Sequence, residues 1–127
     1  MTKKLVFDLD GTLTQPDDRL PYTELLPDRD LVDKLRAYKE CGYEIIIQTA
    51  RNMRTHANNV GKINALTLPL VIDWLYRHQI PFDEIHVGKP WCGTEGFYVD
   101  DRAIRPSEFK SLSVDEIDAL LQREKRA

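Results

Sequence analysis

The sequence predicts an α/β protein with an open, mostly parallel, Rossmann-like sheet. Short apolar runs typical of strands alternate with segments of helical periodicity along the 127 residues. The runs are unbroken rather than alternating in polarity, as expected for parallel strands that are covered on both faces. We find neither internal repeats nor a break in composition, so we expect residues 1–127 to form a single domain.

Four strands are predicted, at residues 5–7, 45–47, 85–87 and 97–99. The runs Leu-Val-Phe, Ile-Ile-Ile and Phe-Tyr-Val are wholly apolar, whereas the run at 85–87 contains a histidine and gives the weakest signal. The predicted sheet therefore contains four strands.

The first helix is predicted over residues 31–41, where apolar side chains recur at helical spacing. Asp28 or Asp30 is placed to cap its start. Gly42 stands where a helix commonly ends.

Two further helices are predicted at 68–75 and 114–121. Thr67 is a candidate N-cap of the first of them. Ser113 and Glu116 form a capping-box pattern before the second.

Composition favours a reduced, cytoplasmic protein. Lys and Arg number 18 against 21 Asp and Glu, and this net charge of −3 argues against nucleic-acid and anionic-membrane partners. The apolar runs are far shorter than the roughly 20 residues that span a bilayer, and no signal-peptide core is visible. The two cysteines form no CxxC motif.

Polar segments directly follow all four predicted strands. They read DLDGT at 8–12, QTAR at 48–51, GKP at 88–90 and DDR at 100–102. The carboxyl ends of parallel strands meet at one edge of a sheet, which is where such sheets bind ligands. We therefore expect four acids, a threonine and a lysine to gather there.

Phosphoryl transfer with a divalent cation is the chemistry that fits this set. Clustered carboxylates repel one another unless a cation lies between them, and oxygen ligands suit Mg²⁺. A lysine and the metal would neutralise charge on the phosphoryl oxygens. Asp8 is placed to attack phosphorus, and Asp10 to protonate the leaving oxygen and later to activate water.

In these motifs the chain resembles the haloacid dehalogenase (HAD) superfamily, whose four motifs match in order across almost the whole sequence. The resemblance implies a capless HAD-type three-layer sandwich. It also implies phosphatase rather than dehalogenase chemistry, because the dehalogenases lack an acid at the position of Asp10.

The resemblance further implies individual roles. Asp8 would be the nucleophile and a Mg²⁺ ligand, and Asp10 the general acid/base, with its carbonyl on the metal. The remaining motif residues would hold the phosphoryl group (Thr49 and Lys89), bind Mg²⁺ (Asp100), and orient the lysine or support the metal through water (Asp101).

The strings TARNM, NVGKIN and GKPWCG resemble a narrower group of small HAD phosphatases associated with capsule and surface-polysaccharide biosynthesis. That likeness implies a sugar, polyol or related small phosphate as substrate, and leaves open whether the chain forms a homo-oligomer. The segments 13–27 and 52–66 are too short for a cap domain and are the expected substrate loops. Residues expected to contact the substrate are Gly11, Thr12, Ala50, Arg51 and Asn52.

Other functions remain as alternatives. A phospho-accepting receiver-like module has a similar length and similar residue types, but its motifs come in a different order. A non-catalytic subunit of a polysaccharide-synthesis assembly would not need this complete set of reactive residues. A phosphomutase would have to hold its phosphorylated intermediate, for which a capless chain is poorly equipped.

Overall fold

The computed structural model describes residues 3–125, which divide into two compact units. The described parts of these units are residues 3–91 and 92–125. Within residues 3–125, no helix has both the length and the apolar character needed to cross a membrane.

The first unit contains a parallel sheet of three strands. These are β1 (Lys4–Asp8), β2 (Glu44–Gln48) and β3 (Glu84–His86), in the spatial order β1-β2-β3. The register aligns the last residues of the three strands, Asp8 with Gln48 and Gln48 with His86. The α/β class, the parallel pairing and three of the four predicted strands are thus confirmed.

Helix α1 (Arg29–Glu40) links β1 to β2. Asp28 is its N-cap, with Oδ1 accepting a hydrogen bond from the Leu31 amide at 3.2 Å, whereas Asp30 lies in the first turn. Its apolar stripe is buried, and Gly42 follows directly after the C-cap residue Cys41. The predicted helix and its capping signals are confirmed.

A second helical stretch links β2 to β3. It comprises α2 (Val60–Lys62), a π-helical turn (Ile63–Thr67) and α3 (Leu68–Arg77). The prediction of Thr67 as a side-chain cap is wrong, since its backbone is helical and its hydroxyl instead donates to Asn52 Oδ1 at 2.7 Å. The helix begins earlier, at Asn59, whose Oδ1 accepts from the Lys62 amide.

The second unit contains α4 (Pro106–Ser111) and α5 (Val114–Glu124). The capping box is confirmed, because Ser113 Oγ accepts from the Glu116 amide at 3.2 Å and the Glu116 carboxylate accepts from the Ser113 amide at 2.9 Å. The predicted strand at 97–99 is wrong, since these residues lie in no strand. A strand needs a neighbouring strand for its hydrogen bonds, which apolar residues alone do not supply.

The segment before α1 is anchored on α3. The buried Trp74 indole donates its Nε1 hydrogen to the Leu25 carbonyl at 2.8 Å, and Arg77 donates to the Thr23 carbonyl at 2.7 Å. These two contacts hold residues 22–25 in place although that segment contains only a three-residue 3₁₀ turn, Tyr22–Glu24.

Asp83 fastens the start of β3 to β2. Its amide donates to the Ile45 carbonyl at 2.7 Å, and its Oδ2 accepts from the Ile45 amide at 2.8 Å. The Lys39 ammonium contacts both carboxylate oxygens at 2.9 Å. The Ile45 amide, and after it Lys39, hold the pKa of Asp83 below its ordinary value.

The variant Asp83→Ala should lower the free energy of unfolding by about 1 kcal/mol at neutral pH, because the Ile45 amide loses its acceptor. A depressed pKa stabilises the fold above the unfolded-state value of about 3.9, and this contribution disappears as the pH falls through the lower folded-state value. Urea unfolding at pH 7 and below pH 4 measures both effects. The control Asp73→Ala removes only an exposed ion pair with Arg77 and should change stability by less than about 0.5 kcal/mol. Equal losses in the two variants would contradict the assignment.

Candidate functional site

The carboxyl edge of the sheet brings Asp8 and Lys89 together. Asp8 is the last residue of β1, and Lys89 lies three residues beyond the end of β3. The Lys89 Nζ and Asp8 Oδ1 atoms are 3.6 Å apart. The Lys89 amide donates to the Thr49 carbonyl at 3.1 Å, so the loop after β3 continues along the backbone that follows β2.

Gly88 places Lys89 close to the second helical stretch. Its φ of +83° favours glycine, and a Cβ atom there would lie 3.0 Å from Val60 Cγ2. A larger residue at this position would therefore strain the backbone and push against Val60, which would shift the lysine.

Partial burial and a neighbouring cation have opposite effects on the pKa of Asp8. Removal from water raises its pKa, and the nearby Asp10 carboxylate adds to this rise. The Lys89 ammonium and the Leu9 amide favour the ionised form, but the net pKa remains above the ordinary value. Asp8 is thus a carboxylate whose negative charge is incompletely compensated by this chain's own groups in the first unit.

Asp10 lies in a tight turn directly after β1. Residues Leu9–Leu13 form a π-type turn in which Gly11 has a φ of +79°, a conformation that L side chains rarely adopt. The buried Thr14 hydroxyl accepts a hydrogen bond from the Gly11 amide at 3.1 Å, and the Thr14 amide donates to the Leu9 carbonyl at 3.1 Å. These bonds fix the turn on both sides of Asp10.

Asp10 forms a two-pronged ion pair with Arg51. The Arg51 Nη2 and Nε atoms donate to the two oxygens of Asp10 at 2.7 and 3.1 Å. The guanidinium also lies over the Tyr22 ring, 4.3 Å from its centroid. The Arg51 side chain is only 3% exposed and that of Asp10 is 34% exposed, so the guanidinium is shielded from water while the carboxylate stays partly accessible.

Thr49 and Asn52 are already engaged within the protein. Thr49 is 1% exposed, and its hydroxyl accepts from the Arg51 amide at 3.0 Å. Asn52 has a φ of +62°, and its Oδ1 accepts from Thr67. The other expected substrate contacts differ in exposure, with Gly11 exposed and Thr12 and Ala50 half-buried. Contact of these residues with a substrate stays a prediction.

A cleft of about 360 Å³ adjoins this cluster. One wall includes Asp10 and Gly11, and the rest comes from the segment between the turn and α1. That segment is closed at its base by a bridge between Thr14 and Pro27. The residues that line the cleft are Asp10, Gly11, Thr14, Pro16, Asp17, Asp18, Leu20, Pro21, Tyr22 and Leu25.

Asp100 and Asp101 belong to the second unit. Both are exposed, and Asp100 Oδ1 accepts from the Arg102 amide at 2.8 Å, which closes a small turn. The structure therefore groups Asp8, Asp10, Thr49, Arg51 and Lys89 in one unit, and places the other two predicted acids in the other.

The predicted magnesium ligands are hard oxygen donors of the kind that Mg²⁺ binds. Among residues 3–125, however, no group of three or more His, Cys, Asp or Glu side chains is arranged to hold a metal ion. Two carboxylates with water and a phosphate oxygen are sufficient for Mg²⁺, so the incompletely compensated Asp8 remains a suitable ligand.

Two residues of this site were missed by the sequence reasoning. Thr14 fixes the Asp10 turn, and its spacing of three residues from Gly11 is a local signal that could have revealed it. Tyr22 packs on Arg51, but it is 29 residues away in the sequence and no local pattern links the two.

Proteins with solved structures include a close relative of this chain. A structural-genomics target from Vibrio cholerae with a crystal structure is 56% identical, over 98% of this chain and 100% of that chain, with a TM-score of 0.92. No family model matches the sequence, and no curated protein matches it.

Two structures of the Pnkp1/Rnl/Hen1 complex, one of them described as an RNA repair complex, are similar at the level of fold alone. They are 23% and 20% identical over 87% and 86% of this chain, each with a TM-score of 0.50. This chain spans only 34% and 30% of the lengths of those chains.

The variant Arg51→Lys should lower the free energy of unfolding by about 1–3 kcal/mol, because a lysine keeps the charge but cannot contact both Asp10 oxygens in this fork-like way. The matched control Arg54→Lys alters a more exposed arginine whose guanidinium lies 5.7 Å from the Trp91 ring centroid, and should cost less than about 1 kcal/mol. Urea unfolding of both variants measures the difference. Equal stability of wild type and Arg51→Lys would show that the ion pair contributes little.

Proposed function

We propose that this chain, which belongs to the same family as the Vibrio cholerae protein, is a HAD-type phosphatase that hydrolyses phosphate monoesters through an aspartyl-phosphate. The observation that carries the proposal is the pairing of Asp8 with Lys89, 3.6 Å apart, where β1 and β3 end. A nucleophilic carboxylate and a cation for the phosphoryl oxygens are the two groups that such a reaction needs side by side.

We also propose that the fold is a HAD-type, three-layered sandwich without a cap. In support, the segment between the Asp10 turn and α1 contains only a 3₁₀ turn and a single bridge. The segment after β2 forms short turns and the start of the second helical stretch. The shortness of these two segments supports a fold without a separate cap.

In the first step, an Asp8 carboxylate oxygen attacks phosphorus, and the bond between phosphorus and the ester oxygen breaks. The leaving alcohol oxygen takes a proton from Asp10, which carries that proton on an oxygen that has given up its contact with Arg51. In the second step, Asp10 removes a proton from water, which attacks the phosphorus of the aspartyl-phosphate. Inorganic phosphate leaves, and Asp8 is regenerated.

Lys89 and Thr49 would hold the transferring group. The Lys89 ammonium, already beside Asp8, would contact phosphoryl oxygens as negative charge develops on them. The Thr49 hydroxyl has a hydrogen to donate, because its oxygen serves as the acceptor of the Arg51 amide.

Arg51 would orient Asp10 for both proton transfers. Because the guanidinium contacts both oxygens, the carboxyl group cannot rotate without breaking a hydrogen bond. To receive or release a proton, one Asp10 oxygen must exchange its contact with Arg51 for one with the substrate or with water.

Of the predicted ligands, Asp8 and the Asp10 carbonyl lie in the first unit and would hold Mg²⁺, whereas Asp100 belongs to the second unit. When bound, the ion would withdraw negative charge from the phosphoryl group and from Asp8.

The proposed substrate is a sugar, polyol or related small phosphate used in surface-polysaccharide synthesis. The cleft beside Asp10 supports a small leaving group, since its volume of about 360 Å³ lies at the lower end of the range for small-molecule sites. Phosphate release from a panel of sugar, polyol, amino-alcohol and nucleotide monophosphates tests the activity and the substrate class together. Release from none of them would contradict the proposal.

The variant Asp8→Asn should reduce phosphate release to the level of an enzyme-free blank, because an amide is not a nucleophile towards phosphorus. Asp10→Asn should slow turnover by about 10²–10⁴-fold through loss of the acid/base. The control Asp33→Asn removes an exposed carboxylate on α1 that pairs with Arg36, and should retain full activity. Circular dichroism confirms that each variant is folded. Near-normal turnover by folded Asp8→Asn would refute the nucleophile.

Removal of divalent cations should abolish turnover, and added Mg²⁺ should restore it, because the negative charge of Asp8 is incompletely compensated by the protein in the first unit. Phosphate release is measured in excess chelator and again after Mg²⁺ is returned. Multiple turnovers per chain would also exclude a receiver-like module, which stores a single phosphate. Undiminished activity in chelator would remove the metal from the scheme.

A further inference from the structure

Strand β1 lies at the open side of the sheet and is also exposed on one face. Parallel strands are normally covered on both faces, yet Val6, in the middle of β1, is 57% exposed. In the described part of the chain, β1 pairs with β2 on one side and with no strand on the other. An open edge of this kind is a template for the addition of another strand.

A segment suited to that edge lies elsewhere in the same sequence. The apolar run at 97–99 forms no strand, and Phe97 and Val99 are 79% and 89% exposed. These two side chains lie two positions apart, so in an extended strand they would point to the same face. Asp100 and Asp101 follow immediately.

We propose that the segment 97–99 of one copy of this chain adds as a parallel strand to β1 of a second copy, and that the exchange is reciprocal. Each copy would thereby cover the other's open edge. The exchange of identical segments is a low-cost route to a dimer.

The connection between β3 and this segment favours a second copy over the chain's own β1. Only ten residues, 87–96, separate the end of β3 from Phe97. Within one chain, these ten residues would have to cross from the β3 edge of the sheet to the far side of β1 and also return to the start of the strands. Crossovers between parallel strands normally use about a dozen residues or more, usually in a helix. Residues 87–96 contain no helix.

The exchange would also complete the active site, a part of the inference that rests on the proposed function. In a parallel addition, the residues after the new strand reach the carboxyl end of β1, where Asp8 and Lys89 lie. Asp100 and Asp101 of one copy would thus serve the nucleophile of the other.

Assembly is tested first, without any substrate, by light scattering on the purified full chain. The wild type should have twice the chain mass of 14.8 kDa. The double variant Tyr98→Pro/Val99→Pro, in the added segment, should yield monomers, because the amides of adjacent strand residues point to opposite sides and one of the two would have to face β1. Circular dichroism confirms that the variant is folded. Tyr76→Lys, which alters a 70% exposed side chain on α3, should remain a dimer. A monomeric wild type, or a dimeric double proline variant, would overturn strand exchange.

Complementation tests the shared site. Asp8→Asn and the double variant Asp100→Asn/Asp101→Asn should each be inactive alone. Co-expressed in equal amounts, they should regain about a quarter of the wild-type activity, since half of the dimers are mixed and each mixed dimer has one intact site. A dimer without any rescue would overturn the shared site. A wild type without phosphatase activity would instead refute the proposed function, and the mass measurements would still decide the exchange.

Discussion

The pairing of β2 with strands on both sides is the constraint on which the site depends. Ile45 and Ile47 are fully buried, and the parallel register aligns the ends of all three strands. Residues that follow β1, β2 and β3 consequently emerge side by side. The hydrogen bonds from the Thr49 amide to His86 and from the Lys89 amide to Thr49 continue this alignment past the sheet, until Lys89 meets Asp8.

The charges at this edge are arranged in two unequal pairs. Asp10 has both oxygens engaged by a buried guanidinium, whereas Asp8 has a looser contact with Lys89 and a pKa raised by burial. In the proposed reaction, the two carboxyl groups have different tasks. A fixed orientation suits the group that exchanges protons, and an incompletely compensated negative charge suits the group that attacks phosphorus.

Local patterns in the sequence predicted the elements that depend on local interactions. The unbroken apolar runs identified β1 to β3, and side-chain caps identified the starts of α1 and α5. The segment 97–99 was mispredicted because strand formation depends on a partner that the apolar pattern does not specify. Thr67 was misassigned because its hydroxyl bonds to Asn52, fifteen residues earlier.

In the candidate site, too, the residues placed by local position were predicted, whereas contacts between distant residues were not. Position after a strand was enough to single out Asp8, Asp10, Thr49 and Lys89, because the topology of a parallel sheet determines where such residues emerge. The ion pair joins Arg51 to Asp10, 41 residues apart, and depends on how the turn after β1 is folded. The sequence therefore indicated the arginine but not the residue that it binds.

The stacking of Tyr22 on Arg51 connects the cleft to Asp10, the proton-transferring group of the proposed reaction. Tyr22 lines the cleft, and the guanidinium beneath it holds Asp10. A molecule that enters the cleft and displaces the ring would alter the environment of the arginine, and with it the freedom of the carboxyl group to turn. In the proposed reaction, occupancy of the cleft and readiness for proton transfer would therefore be thermodynamically linked, and the identity of the leaving group would influence the rate as well as the affinity.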